Sequence, residues 1–240
     1  MAADKKKTVA IVLAAGQGKR MNSHVQKQYL LIYKKPVIYY TLNAFEKSEV
    51  DEVILVTGQD EMNFCRHQIV EYYGFKKVTA IVAGGRERFD SVYQGLQAID
   101  HCEYVLIHDG ARPFITPELI NSNIDCVKSS GACVTAVPSK DTVKIADEDG
   151  FIKDTPERSK VWLIQTPQSF RYETILEAYK KRAEADDNTV TDDAMVVEKY
   201  ACQKIKLLMG DYRNIKITTP EDLVLARAFL EERQHCGQLL

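Results

Sequence analysis

The stretch V-A-I-V-L-A-A-G-Q-G-K-R-M, Val9 to Met21, decides how the rest of the chain is read. Val9–Leu13 is continuously apolar, as suits a strand buried on both faces of a parallel sheet. Ala14, Ala15, Gly16 and Gly18 then strip away side-chain bulk, so backbone N–H groups can come close to an anion. Lys19 and Arg20 bring positive charge to the same turn, and Lys27 adds more one short loop later. Such a construction is suited to holding a nucleoside triphosphate. Taken alone, it is equally a tight strand-to-helix turn with incidental glycines.

Working outward, Glu52–Thr57, Val78–Val82, Tyr104–Ile107 and Ala132–Val137 read as further buried strands. Helical patterns lie between them: Pro36–Phe45, a polar stretch through Tyr72, Arg88–Ile99 and Pro117–Lys128. This alternation predicts an α/β fold, Rossmann-like, with a mostly parallel twisted sheet, helices on both faces and right-handed crossovers. Ligands on such sheets gather at the carboxyl ends of the strands. Here those ends carry A-A-G-Q-G-K-R, G-G-R-E-R and H-D-G-A-R-P, which predicts one pocket at that edge.

The rhythm changes after Pro138. Ser139–Ala146 alternates in strand fashion, Asp147–Gly150 is a turn, and Phe151–Thr155 returns as a second strand. A two-stranded excursion is marginal alone, so this β-arm, at about 138–160, is expected to pack on a second subunit or on its own domain. The chain then resumes with Trp162–Gln165, helices near Tyr172–Ala183 and Asp192–Tyr200, a last strand at Asn214–Thr218 and a closing helix at Pro220–Arg233. With no linker or internal repeat, a single domain spanning 1–240 is expected.

Composition narrows the function classes. The 240 residues are 45% hydrophobic and 28% charged, which is ordinary for a soluble globular protein. A net charge of −2 argues against a broad nucleic-acid-binding surface but permits a local basic pocket. No apolar run approaches the ~18 residues of a membrane span, and no signal-peptide core precedes the glycine turn. The six cysteines show neither CxxC pairing nor short metal-ligand spacing. Free thiols and a cytoplasmic location are the expectation.

The turn is not the P-loop G-x-x-x-x-G-K-[ST], nor does it supply the third glycine of the dinucleotide fingerprint. The strand–A-A-G-x-G-x-R-M pattern, with Lys27 seven residues after Arg20, resembles sugar-nucleotide pyrophosphorylases and related nucleotidyltransferases. In such enzymes a phosphate monoester attacks the α-phosphorus of a nucleoside triphosphate and expels pyrophosphate. That chemistry asks for preorganised cations and Mg²⁺ rather than a base, because the attacking oxygen is already anionic. Of the five histidines only His108 lies beside a candidate motif, and it reads as a strand-end structural residue rather than a base.

The resemblance sharpens when ordered blocks are taken together: L-A-A-G-Q-G-K-R-M, K-Q-Y, G-G-R-E-R-F-D-S-V, H-D-G-A-R-P, K-D-T-V-K, R-S-K-V-W-L-I-Q-T-P-Q-S-F, T-D-D-A and N-I-K-I-T-T-P-E-D-L. From about Thr8 to Arg233 the chain resembles the 2-C-methyl-D-erythritol 4-phosphate cytidylyltransferase family of the non-mevalonate isoprenoid pathway. The resemblance implies that Arg20 and Lys27 hold the CTP phosphates and stabilise the transition state. Ala14, Ala15, Gly16 and Gly18 would offer backbone groups to the nucleotide, and Gly85, Arg86 and Ser91 would surround the cytosine. Relatives often carry an acid at Arg86, which shifts weight from its side chain to its backbone.

Asp109 and Gly110 would lie by the ribose and the divalent cation, Mg²⁺ or another; an aspartate there also suits an Asx turn. Gly110 stands where alanine is common in relatives. Arg112 reads as structural, pairing with a neighbouring acid. The resemblance gives Arg158 and Lys216 the task of positioning the polyol phosphate, with Thr142, Thr166 and Thr191 as hydroxyl donors around it. Thr166 also reads as part of a turn, and Thr191 as a helix N-cap. A homodimer with shared active sites is implied, the arm carrying Arg158 toward the partner's site. Two alternatives remain: a ribitol 5-phosphate cytidylyltransferase of teichoic-acid synthesis, and a non-catalytic nucleotide-binding protein. Ala15, the R-S-K-V-W-L-I-Q-T block and the T-D-D-A block favour the isoprenoid enzyme over the first.

Overall fold

A computed structural model describes residues 7–16 and 26–235. Gly18, Lys19 and Arg20 lie outside the described residues, as does Cys236. In chain order the main elements are β1 (Thr8–Ala14), α1 (Val37–Glu46), β2 (Glu52–Thr57), β3 (Val78–Ala83), α2 (Arg88–Gln97), β4 (Tyr104–Asp109), α3 (Pro117–Ser130) and β5 (Ala132–Pro138). There follow β6 (Ile145–Ala146), β7 (Ile152–Asp154), β8 (Trp162–Arg171), α4 (Tyr172–Glu184), α5 (Asp193–Ala201), β9 (Lys206–Met209) and α6 (Pro220–His235).

Seven strands form one sheet in the order β9-β5-β8-β4-β1-β2-β3. Every neighbouring pair is parallel except the two made by β8, which runs antiparallel to both β4 and β5. The expected mostly parallel α/β sheet is what forms. Successive residues of β1 point to opposite faces. Ala10, Val12 and Ala14 pack with Leu42 and Phe45 of α1, Ile120 and Ile124 of α3 and Leu230 of α6. Val9 and Ile11 pack with Val92 and Leu96 of α2, Ile175 of α4 and Val197 of α5. Both faces are therefore covered, which is why β1 carries no polar alternation.

Helix starts follow their signals. Thr116 caps α3 by accepting from Leu119 N at 3.2 Å, Pro117 takes the first turn, and Gly131 closes the helix at φ +78°. At α2, Glu87 and Asp90 form a reciprocal capping box. At α5 the cap is Asp192, whose carboxylate accepts from Met195 N at 2.9 Å, and not Thr191.

Two further expectations need correction. Asn214–Thr218 is not a strand, and the strand at that end of the sheet is β9. The I-K-I alternation of Ile215–Ile217 arises from anchoring across strand ends: Ile217 N donates to Ala111 O at 2.8 Å, and buried Asn214 donates to Thr166 O at 2.9 Å. β9 escapes sequence reading because its Leu207 and Met209 face outward from an edge strand. The arm is present but shorter than its pattern: β6 and β7 pair antiparallel over a few residues around the Asp147–Gly150 turn. Ile145, Phe151 and Ile152 on it are 46%, 71% and 66% exposed.

Candidate active site

The carboxyl ends of β1, β3 and β4 open into one cleft of about 680 Å³, within the range of small-molecule sites. Its walls come from the three motifs named above: Ala14, Ala15 and Gly16 at the end of β1, Gly85–Arg88 and Ser91 after β3, and Asp109 with Ala111 at the end of β4. Lys27, Gln28 and Lys216 complete the lining. Register explains the convergence, because Ala14 pairs with Thr57, Thr57 with Ala83, and Leu13 with Asp109, so the strands end level.

Close approach shapes the floor. A Cβ built on Gly84 would lie 2.5 Å from the Ala15 Cβ and 2.7 Å from Ser91 Oγ, so only glycine lets the second turn seat against the first. Gly85 N donates to Ser91 Oγ at 3.1 Å, and that hydroxyl donates to Glu87 O at 3.1 Å. Ser91 thereby holds the loop that carries Gly85 and the exposed Arg86. Buried Gln28, which sequence reasoning passed over, donates from Nε2 to Ala14 O and to Gly16 O (3.2 Å). It ties the segment bearing Lys27 to the glycine turn, and the K-Q-Y block was its sole sequence signal.

Charge is concentrated around Asp109. Lys216 Nζ lies 2.9 Å from Oδ2, Arg112 Nε lies 3.7 Å from the same oxygen, and Arg88 Nε donates to Oδ1 at 3.3 Å. Burial alone would raise the Asp109 carboxyl, but the charges of Lys216, Arg88 and Arg112 outweigh it and hold the group well below the usual carboxylate range. Arg112 also donates to Asn214 O at 2.7 Å, in line with its structural reading. Arg88 is pinned in turn by Asp193, to which Nη1 and Nη2 donate at 2.9 and 2.8 Å. Lys27, Arg86, Arg88 and Lys216 against Glu87 and Asp109 leave the cleft lining net positive, which favours polyanions.

His108 is fully buried behind this cluster. Its Nε2 lies 3.3 Å from Arg112 O, a pure acceptor, so Nε2 carries the proton and Nδ1 accepts from Thr166 Oγ1 at 3.0 Å. Thr166 Oγ1 accepts from Asp109 N at 3.1 Å. Burial pushes the imidazole down to about 3, so it is neutral and both nitrogens are spent. A general base is excluded at this position.

The remaining expected residues separate into groups. Lys27, Lys216, Ala14, Ala15, Gly16, Gly85, Arg86, Ser91 and Asp109 share the cleft. Gly110 sits just behind it: its N–H donates to Leu13 O at 2.8 Å and its carbonyl accepts from Thr41. Thr166 lies behind Asp109 with its hydroxyl already committed. Thr142, Arg158 and Thr191 are exposed and do not line the cleft of the single chain. Arg158 stands on the short turn that follows the arm, at Arg158–Lys160.

A divalent cation would find two carboxylates in this cleft, Glu87 and Asp109, and both oxygens of Asp109 already face cations. Among the described residues no three His, Cys, Asp or Glu side chains gather as a metal cage. The donor set fits a hard cation carried mainly by phosphate oxygens and water, with Asp109 as its protein anchor. It does not fit a resident all-protein site.

Comparison with known proteins agrees with this geometry. The family model for 2-C-methyl-D-erythritol 4-phosphate cytidylyltransferase matches residues 8–232. The enzyme of that name from Lachnoclostridium phytofermentans is 53% identical over 228 residues, covering 95% of this chain and 98% of the relative. That from Alkaliphilus oremlandii is 48% identical over 230 residues, 95% and 97% of the two chains. The crystal structure of 4-diphosphocytidyl-2C-methyl-D-erythritol synthase from Anaerococcus prevotii superposes with a TM-score of 0.83 at 38% identity, over 94% of this chain and 96% of that one. The Thermus thermophilus cytidylyltransferase gives 0.74 at 27% identity, over 92% and 98%. The ribitol phosphate and non-catalytic alternatives are not favoured by these matches. With the family model matched over residues 8–232 and relatives 53% and 48% identical over nearly their whole length, the chain belongs to the 2-C-methyl-D-erythritol 4-phosphate cytidylyltransferase family.

Proposed function

We propose that the cleft is where the cytidylyl group of CTP passes to 2-C-methyl-D-erythritol 4-phosphate, giving 4-diphosphocytidyl-2-C-methyl-D-erythritol and pyrophosphate. The observation that carries this reading is Lys27 and Lys216 lining one cleft with the glycine turn and the Asp109 cluster. The triphosphate lies against the backbone of Ala14, Ala15 and Gly16, its charge met by Lys27 and by Arg20. Gly85, Arg86 and Ser91 hold the cytosine.

Lys216 turns from Asp109 to the incoming phosphate monoester and aligns its oxygen with the α-phosphorus. That oxygen is already an anion, so the reaction needs positioning and charge compensation rather than proton removal. The sealed, neutral His108 accords with such a mechanism. When bound, Mg²⁺ beside Asp109 supplies further neutralisation of the phosphates. Gly110 and Thr166 act from behind, setting the Asp109 backbone.

Arg158, Thr142 and Thr191 are proposed to act in a homodimer. The exposed apolar side chains of the arm suit burial against a partner, and the arm leads directly to Arg158. One nucleotidyltransferase domain with this arm accounts for the whole chain. No helix among the described residues is long and apolar enough to cross a membrane, and a cytoplasmic enzyme is the proposed setting.

The test is pyrophosphate release from CTP with a panel of polyol phosphates. Selective turnover of methylerythritol phosphate is expected. Preference for ribitol 5-phosphate would overturn the substrate and leave the mechanism; no release with any acceptor would return the chain to a binding role.

A further inference from the structure

Asp193 is completely buried, and its carboxylate is satisfied by three donors. Arg88 Nη1 and Nη2 reach it at 2.9 and 2.8 Å, and Tyr179 OH donates to Oδ1 at 2.6 Å. The three residues come from α5, α2 and α4, so the cluster spans three helices on one face of the sheet. Burying an ion pair this deeply gives little net stability over apolar packing. Its geometry, however, is specific. Both terminal nitrogens of Arg88 are fixed on Asp193 while its Nε–H donates to Asp109 Oδ1, so one rigid guanidinium plane bridges the two carboxylates.

Neither of the other two cations holds Asp109 through a guanidinium hydrogen bond. Lys216 has a flexible stem and a side chain about a third exposed (34%), and it is the group that has to turn toward substrate. Arg112 Nε stays at 3.7 Å, beyond hydrogen-bond distance, and has no hydrogen-bond partner of its own. Among the described residues, Arg88 therefore supplies the one guanidinium hydrogen bond to Asp109.

We propose that Arg88 is a positioning residue for the transfer reaction: the Tyr179–Asp193–Arg88 strut holds Asp109 in place when Lys216 leaves it for the substrate phosphate. This inference rests on the functional reading above. It assigns to α4 and α5, which contribute no residue to the cleft lining, a role in keeping the charge pattern of the cleft fixed.

Arg88→Lys tests it, because lysine keeps the charge but cannot fork between two carboxylates. Pyrophosphate release from CTP and methylerythritol phosphate, calorimetric titration with CTP alone, and thermal unfolding are measured together. A misplaced Asp109–Lys216 pair is expected to lower kcat about 10²-fold, with CTP affinity within about threefold of wild type. Asp193→Asn serves if the lysine variant does not fold: it keeps the side-chain shape and should show the same split between kcat and CTP binding. In the Asp193→Asn background, Arg88→Lys should add little further loss.

Wild-type kcat in a folded Arg88→Lys protein would overturn the proposal. So would a fall in CTP affinity matching the fall in kcat, which would make Arg88 a direct nucleotide ligand. If wild-type protein itself releases no pyrophosphate, the functional reading fails instead, and the two failures are distinguished.

Discussion

Replacing His108 with glutamine should flatten the acid side of the stability curve. His108 is wholly buried, and burial lowers its imidazole from 6.5 to about 3. A folded value below the unfolded one means that the unfolded chain takes up the proton first as pH falls. Stability from the neutral ring is thus intact above the unfolded value and is lost progressively between about 6.5 and about 3. Each pH unit inside that window costs about 1.4 kcal/mol. Moving from about pH 7.5 to about pH 4.5 should therefore remove about 2.7 kcal/mol through this one residue.

Glutamine can accept from Thr166 and donate to Arg112 O, yet it does not titrate. Urea unfolding of both proteins at the two pH values isolates the effect, since shared carboxylates cancel in the difference. The wild-type loss should exceed the variant's by about 2.7 kcal/mol. Equal losses would refute the reasoning, because His108 would then exchange protons freely in the folded state.

Three other outcomes are expected. Lys216→Met should lower kcat by about 10²- to 10³-fold while CTP binding, followed by calorimetry, changes little; lost CTP affinity with intact turnover would contradict the role proposed for this lysine. Gly84→Ala places a Cβ 2.5 Å from that of Ala15, so it should destabilise the protein by about 1–3 kcal/mol and weaken CTP binding as the two turns part, read by thermal unfolding and titration. Mixing Arg20→Ala protein with Arg158→Ala protein should restore turnover if each site draws on both chains, and no recovery after verified subunit exchange would show that it does not.

Much of this architecture is legible along the chain because its causes are local. The apolar run of β1 shows burial on both faces, and Gly84 and Gly85 mark where two turns must approach. Motifs at three strand ends meet because parallel strands end together. The misreadings have equally physical origins. Ile215 and Ile217 alternate with Lys216 because the segment is anchored to Ala111 and Thr166, not because it pairs with a strand. β9 shows no inward pattern because it is an exposed edge. Thr191 is one residue short of the cap, which Asp192 takes.

The site's supporting groups were the least legible. Arg88 and Asp193 stand 105 positions apart, and nothing near either one announces that they pair. Gln28 looks like an ordinary polar residue until its amide is seen crossing to the glycine turn. The resemblance makes Thr166 an expected substrate donor, but its hydroxyl is spent between His108 and Asp109. Such commitments depend on which side chains the fold brings together, and local spacing does not encode them.

A crystal structure with CTP bound would test the central claim most directly. The triphosphate should lie along Ala14–Gly16, with Lys27 on its phosphates and cytosine against Gly85 and Ser91, leaving Lys216 facing the open side of the α-phosphorus. A nucleotide seated elsewhere on the chain, or a triphosphate out of reach of both lysines, would contradict it.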